Sequence, residues 1–446
     1  MENIQILTVF LFAVLILLLF VMKGEIICPS ILFISSFFVV SFLYSIMRES
    51  LEMKDIYPET LAFLIFGVLA FLFVQVSFFA FRKKPKKSLY YQTGVFSKEK
   101  LNTNFFCFFS VLSIAAIFLL LFVMMSNSSY SLLQFSSLTR DYKNKNLGNE
   151  LTNYHWLYEI ISQLYKLCLS FLYVSTYLII RNWKSQNKKC KALFLISSLL
   201  ELIFTTLFYG GRQDLIEYVF FILFIGFITL YRRKKYKLIK KYLCVLLLLA
   251  LISIPLFYYS SILVGRDFTY IAIQSPIEYL ATYLCGGLYY LDSFIMKPAN
   301  TMFFGQSSFA FIYDFFYKLG LATKEMASYT YHKFYTYGTT VTFFGRWYED
   351  FGLLGMIIMT TFVSLFYGWL YYKKASTKSL CLLLYLKMSM SLLWAGYDDR
   401  IFSMLSFNYL VQMILIIVLF KMFAPNKRRN YLMEFHTYEK KKYIKA

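Results

Sequence analysis

Three glycine–arginine pairs are the residues of this sequence best suited to binding an anion. They are Gly211-Arg212, Gly265-Arg266 and Gly345-Arg346, and each is followed within a few residues by an acidic side chain. With 12 arginines and 18 glycines among 446 residues, chance predicts about half of one such pair. A guanidinium group is planar and always charged, so it binds phosphate or carboxylate through parallel hydrogen bonds. The three pairs therefore predict an anion site.

An anion site next to carboxylates suits the transfer of a sugar from a phosphate. Arg212, Arg266 and Arg346 would stabilise the phosphate leaving group, and Asp350 would take the proton of the acceptor hydroxyl. The further candidates for that base are Glu349, Asp398 and Asp399. His332 is another, because its ordinary pKa is near neutrality. The residues assigned to substrate binding are Arg140, Arg400, Asp398, Glu349, His332, Trp347 and Tyr348. The alternative is that the arginines extend to the membrane interface or pair with neighbouring acids to close helix ends.

Composition places these residues in a membrane protein. The chain is 59% hydrophobic and only 16% charged, whereas a soluble domain has roughly 25% charged residues. The net charge of +22 comes from basic residues between apolar runs, which is typical of cytoplasmic loops, so a nucleic-acid partner is not expected. The seven cysteines form no CxxC motif, and neither a metal nor another cofactor is expected.

Eleven apolar runs are long enough to cross a bilayer, which takes about 20 residues per helix. An all-α, polytopic integral membrane protein with about 11 transmembrane helices is therefore expected. The predicted helices are 4–22, 28–47, 60–81, 104–125, 156–180, 192–209, 214–231, 242–260, 351–372, 379–394 and 403–423.

The basic residues predict the orientation of these helices. Alternate loops hold 31 of the 46 lysines and arginines, and the remaining loops hold 13, so the positive-inside rule predicts an external N-terminus and a cytoplasmic C-terminus. The expected divisions are helices one to eight in 1–260, a long external loop in 261–350, three helices in 351–424 and a basic cytoplasmic tail in 425–446. The segment 279–296 contains Asp292 and is flanked by Glu278 and Lys297, so a re-entrant or interfacial helix is expected there.

Three motifs in this arrangement resemble those of the Wzy-type oligosaccharide repeat-unit polymerases of O-antigen and capsule pathways. The first is Tyr209-Gly210-Gly211-Arg212 at the start of a helix, and the second is the long outer loop with Glu278-Tyr279-Leu280 and Gly286-Gly287-Leu288. The third runs from Phe344 to Gly355 and enters the next helix. The resemblance implies a GT-C-like architecture in the cell membrane and a metal-independent transfer of a growing glycan. The donor would be an undecaprenyl-pyrophosphate-linked oligosaccharide and the acceptor a fresh lipid-linked repeat unit at the outer leaflet, with membrane lipids and a chain-length regulator as candidate partners.

Two other functions stay open on the sequence. An O-antigen ligase shares much of this layout, and a transporter or flippase of lipid-linked oligosaccharides would need a polar path through the bilayer and usually has repeated helical halves. No internal repeat is visible in the sequence. A metal-dependent transferase is less favoured, because the early outer loop, residues 48–55, contains no adjacent acids.

Overall fold

The computed structural model describes most of the chain, and all the regular elements in the described part are helical. The described residues are 2–22, 25–81, 103–147, 153–183, 186–209, 213–232, 275–296, 305–306, 308–323, 341–375, 378–404 and 406–423, with isolated positions at 238, 239, 241, 244, 248, 252, 255, 258 and 259.

Eight helices form the first half of the described chain. They are α1 (Asn3–Val21), α2 (Pro29–Met47), α3 (Pro58–Ala80), α4 (Thr103–Ser126), α5 (Phe135–Leu147), α6 (His155–Asn182), α7 (Lys188–Tyr209) and α8 (Gln213–Arg232). Proline at the first position of α2 and α3 fixes where those helices begin, since its missing N–H is not needed there. Except for α5, which was not predicted, these helices match predicted spans to within about four residues.

The second half of the described chain contains shorter and interrupted helices. They are α9 (Pro276–Met296), α10 (Ala310–Lys318), α11 (Phe343–Gly368), α12 (Ser379–Met388), α13 (Met390–Trp394), α14 (Arg400–Ser403) and α15 (Phe407–Phe423). The helix α11 continues as a π-helix over Trp369–Ala375. The predicted helix 379–394 is divided at Ser389, and most of the predicted helix 242–260 lies outside the described residues.

Seven helices of the described part are long and apolar enough to cross a membrane, so the chain is a multi-pass membrane protein. They are α1, α2, α3, α4, α6, α7 and the continuous segment formed by α11 and its π-helical extension. The helix α9 is not among them. It packs against α2, and Ala281, Cys285 and Leu291 on it are completely buried.

The two ends of the helix bundle are defined by contacts between loops. At the first end, Asp55 accepts hydrogen bonds from the backbone N–H groups of Asn3 and Ile4, so α1 and α3 begin side by side. At the second end, the Tyr371 hydroxyl donates to Glu25 at 3.3 Å, and Arg181 donates to Ser379 at 3.2 Å. We call these the first end and the second end.

A kink separates the start of α11 from its membrane-spanning part. Gly352 has φ 63° and ψ −165°, a conformation that is essentially restricted to glycine. The segment 343–351 therefore runs in a different direction from 353–368. We call 343–351 the α11 arm. The sequence predicted the start of this helix at 351, so the arm was expected to be loop.

The arm and the turn after α13 lie deep between the helices. The backbone N–H of Gly396 donates to Ser36 Oγ at 2.8 Å, and Ser36 precedes the end of α2 by eleven residues, or about 16 Å of helix. The Phe344 ring packs against Gly67, so closely that an added Cβ there would lie 2.7 Å from the ring. Gly67 is nine residues inside α3, or about 13 Å below its start. Both segments are thus recessed by about half of the bilayer core.

Candidate functional site

Two backbone hydrogen bonds join the start of the α11 arm to the turn that follows α13. The N–H of Phe343 donates to the carbonyl of Ala395 at 2.9 Å, and the N–H of Asp399 donates to the carbonyl of Val341 at 2.9 Å. We call this contact between 341–346 and 395–400 the recessed junction. Irregular backbone at this depth is tolerated because the protein buries it and supplies its hydrogen bonds.

The recessed junction brings together two of the predicted arginines and two of the predicted acids. Arg346 Nε lies 3.9 Å from Asp399 Oδ2, and the Asp399 side chain is completely buried. Arg400 Nε lies 2.6 Å from Asp398 Oδ2. Arg400 therefore pairs with an acid next to it in sequence, as in the alternative interpretation, whereas the partner of Arg346 is 53 positions away along the chain. The Arg346 contact is longer than the 2.7–2.9 Å of a charge-assisted hydrogen bond, so the two ion pairs differ in tightness.

A glycine on α9 allows this close approach. A Cβ at Gly287 would lie 2.2 Å from the backbone oxygen of Tyr397 and 3.3 Å from the backbone nitrogen of Thr342. One turn earlier, Tyr283 stacks on Tyr397 with ring centroids 5.0 Å apart. The helix α9 therefore forms one wall of the junction, and the absence of a side chain at Gly287 has a direct steric reason.

A second group of charges lies beside the junction on α8 and α12. Lys387 Nζ is 2.8 Å from Glu217 Oε2 and 3.2 Å from the Tyr173 hydroxyl. The Tyr165 hydroxyl donates to Asp214 at 2.7 Å. Arg400 interacts electrostatically with both Glu217 and Asp214, which connects this group to the junction. The start of α8, where Asp214 lies, is thus close enough to the junction for their charges to interact.

Asp350 holds a neighbouring segment in place. Its Oδ2 accepts a hydrogen bond from the backbone N–H of Ser308 at 2.5 Å, and the Ser308 hydroxyl donates to the Arg346 carbonyl at 3.2 Å. Because Arg346 and Asp350 are four residues apart, they lie on the same face of the arm. In this conformation Asp350 anchors the segment 305–309 to the arm, a role that the sequence did not predict.

The three residues between Arg346 and Asp350 differ in their surroundings. Trp347 is only 1% exposed and packs against Phe309 and Phe351, so its ring is part of the packed core in this conformation, and its contact with a sugar stays a prediction. Tyr348 is half-buried against Phe63, and Glu349 is half-buried. The structure therefore explains Trp347 as a core residue of the arm and leaves Tyr348 and Glu349 partly accessible.

The remaining predicted site residues lie elsewhere. Arg212, Arg266 and His332 lie outside the described residues, so convergence of three arginines on one phosphate stays a prediction. Arg140 is exposed on α5, a helix that packs against α4.

The sequence did not reveal which acid pairs with which base inside the bundle. Glu217 on α8 pairs with Lys387 on α12. Lys166 bonds Gln163, and Glu201 bonds Ser197 within its own helix. The available signal was that ionisable groups in apolar helices are costly and usually pair. That rule identifies the buried ionisable residues, but it does not say which of them pair with each other.

Within the described ranges, no group of three or more His, Cys, Asp or Glu side chains is arranged to hold a metal ion. Cys28, Cys168, Cys190 and Cys285 are buried free thiols, as expected of small core residues. No family model, curated protein or solved structure matches the chain.

Proposed function

We propose that this chain is a glycosyltransferase that polymerises lipid-linked oligosaccharide repeat units, of the Wzy type suggested by its motifs. The observation that carries the proposal is the recessed junction, where Arg346 and Arg400 meet Asp398 and Asp399 within a membrane-spanning bundle. Buried ionisable groups at this depth are costly and mark functional sites by default. Here they include two guanidinium groups, which suit a pyrophosphate.

In the proposed reaction, a hydroxyl oxygen of the acceptor sugar attacks the anomeric carbon of the donor glycan. The bond from that carbon to the pyrophosphate oxygen breaks, and the lipid pyrophosphate leaves with the electron pair. Arg346 and Arg400 stabilise the negative charge that develops on it, together with Arg212 and Arg266 if they converge there. A carboxylate of the arm or the turn accepts the hydroxyl proton.

The depth of the junction suits a substrate that is itself a lipid. A polyprenyl chain occupies the bilayer, so its pyrophosphate can reach a site below the helix ends by moving laterally between helices. A soluble nucleotide sugar would instead need an aqueous opening at the bundle end. The recess therefore favours a lipid-linked donor over a soluble one.

The test is a comparison of Arg346→Ala with Arg48→Ala. Arg48 pairs with Glu2 at 2.5 Å at the first end of the bundle, away from the junction, so it controls for loss of one arginine. Cells expressing Arg346→Ala should carry single repeat units on their surface, and cells expressing Arg48→Ala should keep the ladder of long chains on gels. Long chains in a membrane-inserted Arg346→Ala variant would refute the proposed role.

Transport of a lipid-linked oligosaccharide is the second candidate. The observation that favours it is the set of interrupted helices at α11 and α12–α13, with charges at their breaks, because transporters place substrate sites at such discontinuities. Deletion of the gene distinguishes the two candidates. Loss of long chains with single units retained indicates a polymerase, whereas accumulation of intermediates at the inner leaflet indicates a flippase.

A further inference from the structure

A short surface segment follows the end of the membrane-spanning helix α4. It consists of Tyr130 and Ser131, a 3₁₀ turn over Leu132–Gln134 and the helix α5, and we call it the α4–α6 segment. It begins four residues after Ser126, where α4 ends. Its position is therefore next to the membrane boundary.

The carboxyl end of this segment is fixed to the bundle. Lys145 Nζ donates to the carbonyl of Asn127 at 2.6 Å, and the Asn127 side chain donates to the carbonyl of Asn153 at 2.9 Å. Leu138 and Tyr142, on one face of α5, are buried. The helix thus lies along the protein and does not project freely from it.

The amino end of the segment carries a group of exposed apolar side chains. Leu133 is 97% exposed, and Tyr130, Leu132 and Phe135 are also exposed. Keeping one leucine in water when it could be buried costs about 1.5–3 kcal/mol. Four such residues within six positions are therefore unfavourable in an aqueous loop.

Exposed apolar and aromatic side chains also lie at the adjoining ends of α4 and α6. Tyr154 packs against Phe122 with ring centroids 5.0 Å apart, and Phe122 is exposed on α4 one turn before its end. Trp156, at the start of α6, is exposed as well. Tyrosine and tryptophan at helix ends are typical of the headgroup layer.

We infer that the α4–α6 segment is an interfacial element whose amino end inserts into the lipid bilayer. Leu132, Leu133 and Phe135 contact acyl chains, whereas the carboxyl end of α5 stays bound to the bundle, where Lys145 pairs with Asp141 at 3.1 Å and with the Asn127 carbonyl at 2.6 Å. The inference depends on the membrane-spanning helices alone and is independent of the proposed transferase activity.

The test uses a photo-crosslinking amino acid, benzoylphenylalanine, placed singly at 133, 135 or 144. The full-length protein is reconstituted in vesicles of phosphatidylcholine and phosphatidylglycerol, irradiated and analysed by mass spectrometry. Position 135 already carries an aromatic side chain, so benzoylphenylalanine fits there. It provides a second test site if the variant at 133 misfolds. Asn144 is exposed near the polar end of the same helix and serves as the matched control.

We expect lipid adducts at positions 133 and 135 and none at position 144. Crosslinks between two copies of the chain at 133 would show that a second protomer covers the apolar group and would overturn the inference. Equal or absent lipid adducts at all three positions would overturn it as well, by placing the segment in water.

Discussion

At the scale of single residues, Arg346 and Asp399 form a buried ion pair between the two segments of the recessed junction. The Asp399 carboxylate is completely buried and the Arg346 side chain is 15% exposed. Removing one member of such a pair leaves an uncompensated buried charge. The pair therefore contributes to folding and to the site at the same time.

We predict that Asp399→Ala destabilises the protein by about 3–5 kcal/mol, because Arg346 is left buried without its partner. The double variant Asp399→Ala/Arg346→Ala should recover part of that loss. Thermal unfolding in detergent measures both. Glu159→Gln is the control, since the Glu159–His155 pair is exposed and worth at most about 1 kcal/mol. If Asp399→Ala lowers the stability equally in the wild-type protein and in the Arg346→Ala variant, the two residues do not interact.

Lys387 and Glu217 provide a second residue-scale prediction. Lys387→Met alone should lower stability by about 3–5 kcal/mol, because Glu217 then lies buried with its cation missing. Lys387→Met/Glu217→Gln should be close to wild type, since both charges are removed together. The same unfolding measurement tests this pair. A double variant as unstable as the single one would mean that another group holds Glu217 in place.

Sequence reasoning identified most of these residues but not their partners. In a chain with 16% charged residues, ionisable side chains inside or beside apolar runs are conspicuous, and so Arg346, Asp398 and Lys387 could be singled out. Lys387 and Glu217 are 170 positions apart, and only the packing of α8 against α12 brings them together. The burial of Trp347 was not predicted, because an aromatic ring in a site and one in a core have the same sequence signal.

At the scale of helices, the kink at Gly352 aims the α11 arm at the junction. An alanine there cannot adopt φ 63° and ψ −165° without strain of about 1–3 kcal/mol. Alanine would instead favour a straight helix that continues from 353–368 into the arm. The arm would then move away from the turn at 395–400.

We therefore predict that Gly352→Ala abolishes chain lengthening, while the protein still inserts in the membrane. Gly320→Ala is the matched control, because Gly320 also has a positive φ, of 73°, and also has open space around its Cβ position. Gel analysis of surface polysaccharide is the readout. Equal ladders from both variants would indicate that the kink is not required for function.

The contact of α9 with the junction gives another prediction at this scale. Gly287→Ala places a methyl group 2.2 Å from the Tyr397 backbone oxygen, and backbone cannot move aside as a flexible side chain can. Such overpacking typically costs about 1–3 kcal/mol. Ser293→Ala on the same helix removes a hydroxyl that donates within α9, so it should have little effect. Comparable melting temperatures for the two variants would contradict the predicted clash.

The helices themselves were largely predictable, and their interruptions were not. Runs of about 20 apolar residues locate spans such as α1 and α4, because the bilayer requires that length. The break at Ser389 and the kink at Gly352 occur at residue types that also occur in ordinary membrane helices, so neither residue indicates an interruption by itself. The helix α5 is short and polar, so neither hydropathy nor length distinguishes it from a loop.

At the scale of the whole molecule, the described contacts separate the loops into the two groups that the sequence predicted. The loops with Glu25, Arg181 and Ser379 meet at the second end, and those with Glu2, Arg48 and Asp55 meet at the first end. Loops at the second end belong to the strongly basic set. The helix α9 connects the junction to the first end, because Gly287 contacts the junction and Asp292, five residues later, accepts a hydrogen bond from the Tyr57 N–H at the start of α3.

If the positive-inside rule holds here, the first end faces outward, where lipid-linked repeat units are polymerised under the proposed function. Single cysteines at Ser50 and Lys189, both exposed and at opposite ends, test this orientation. A membrane-impermeant maleimide should label Ser50→Cys in intact spheroplasts and Lys189→Cys only after permeabilisation, above the background of the parent chain. The reverse labelling pattern would mean that the first end of the bundle faces the cytoplasm. An acceptor presented at the outer leaflet could not then reach Arg346, and the polymerase proposal would fail even with every arginine in place.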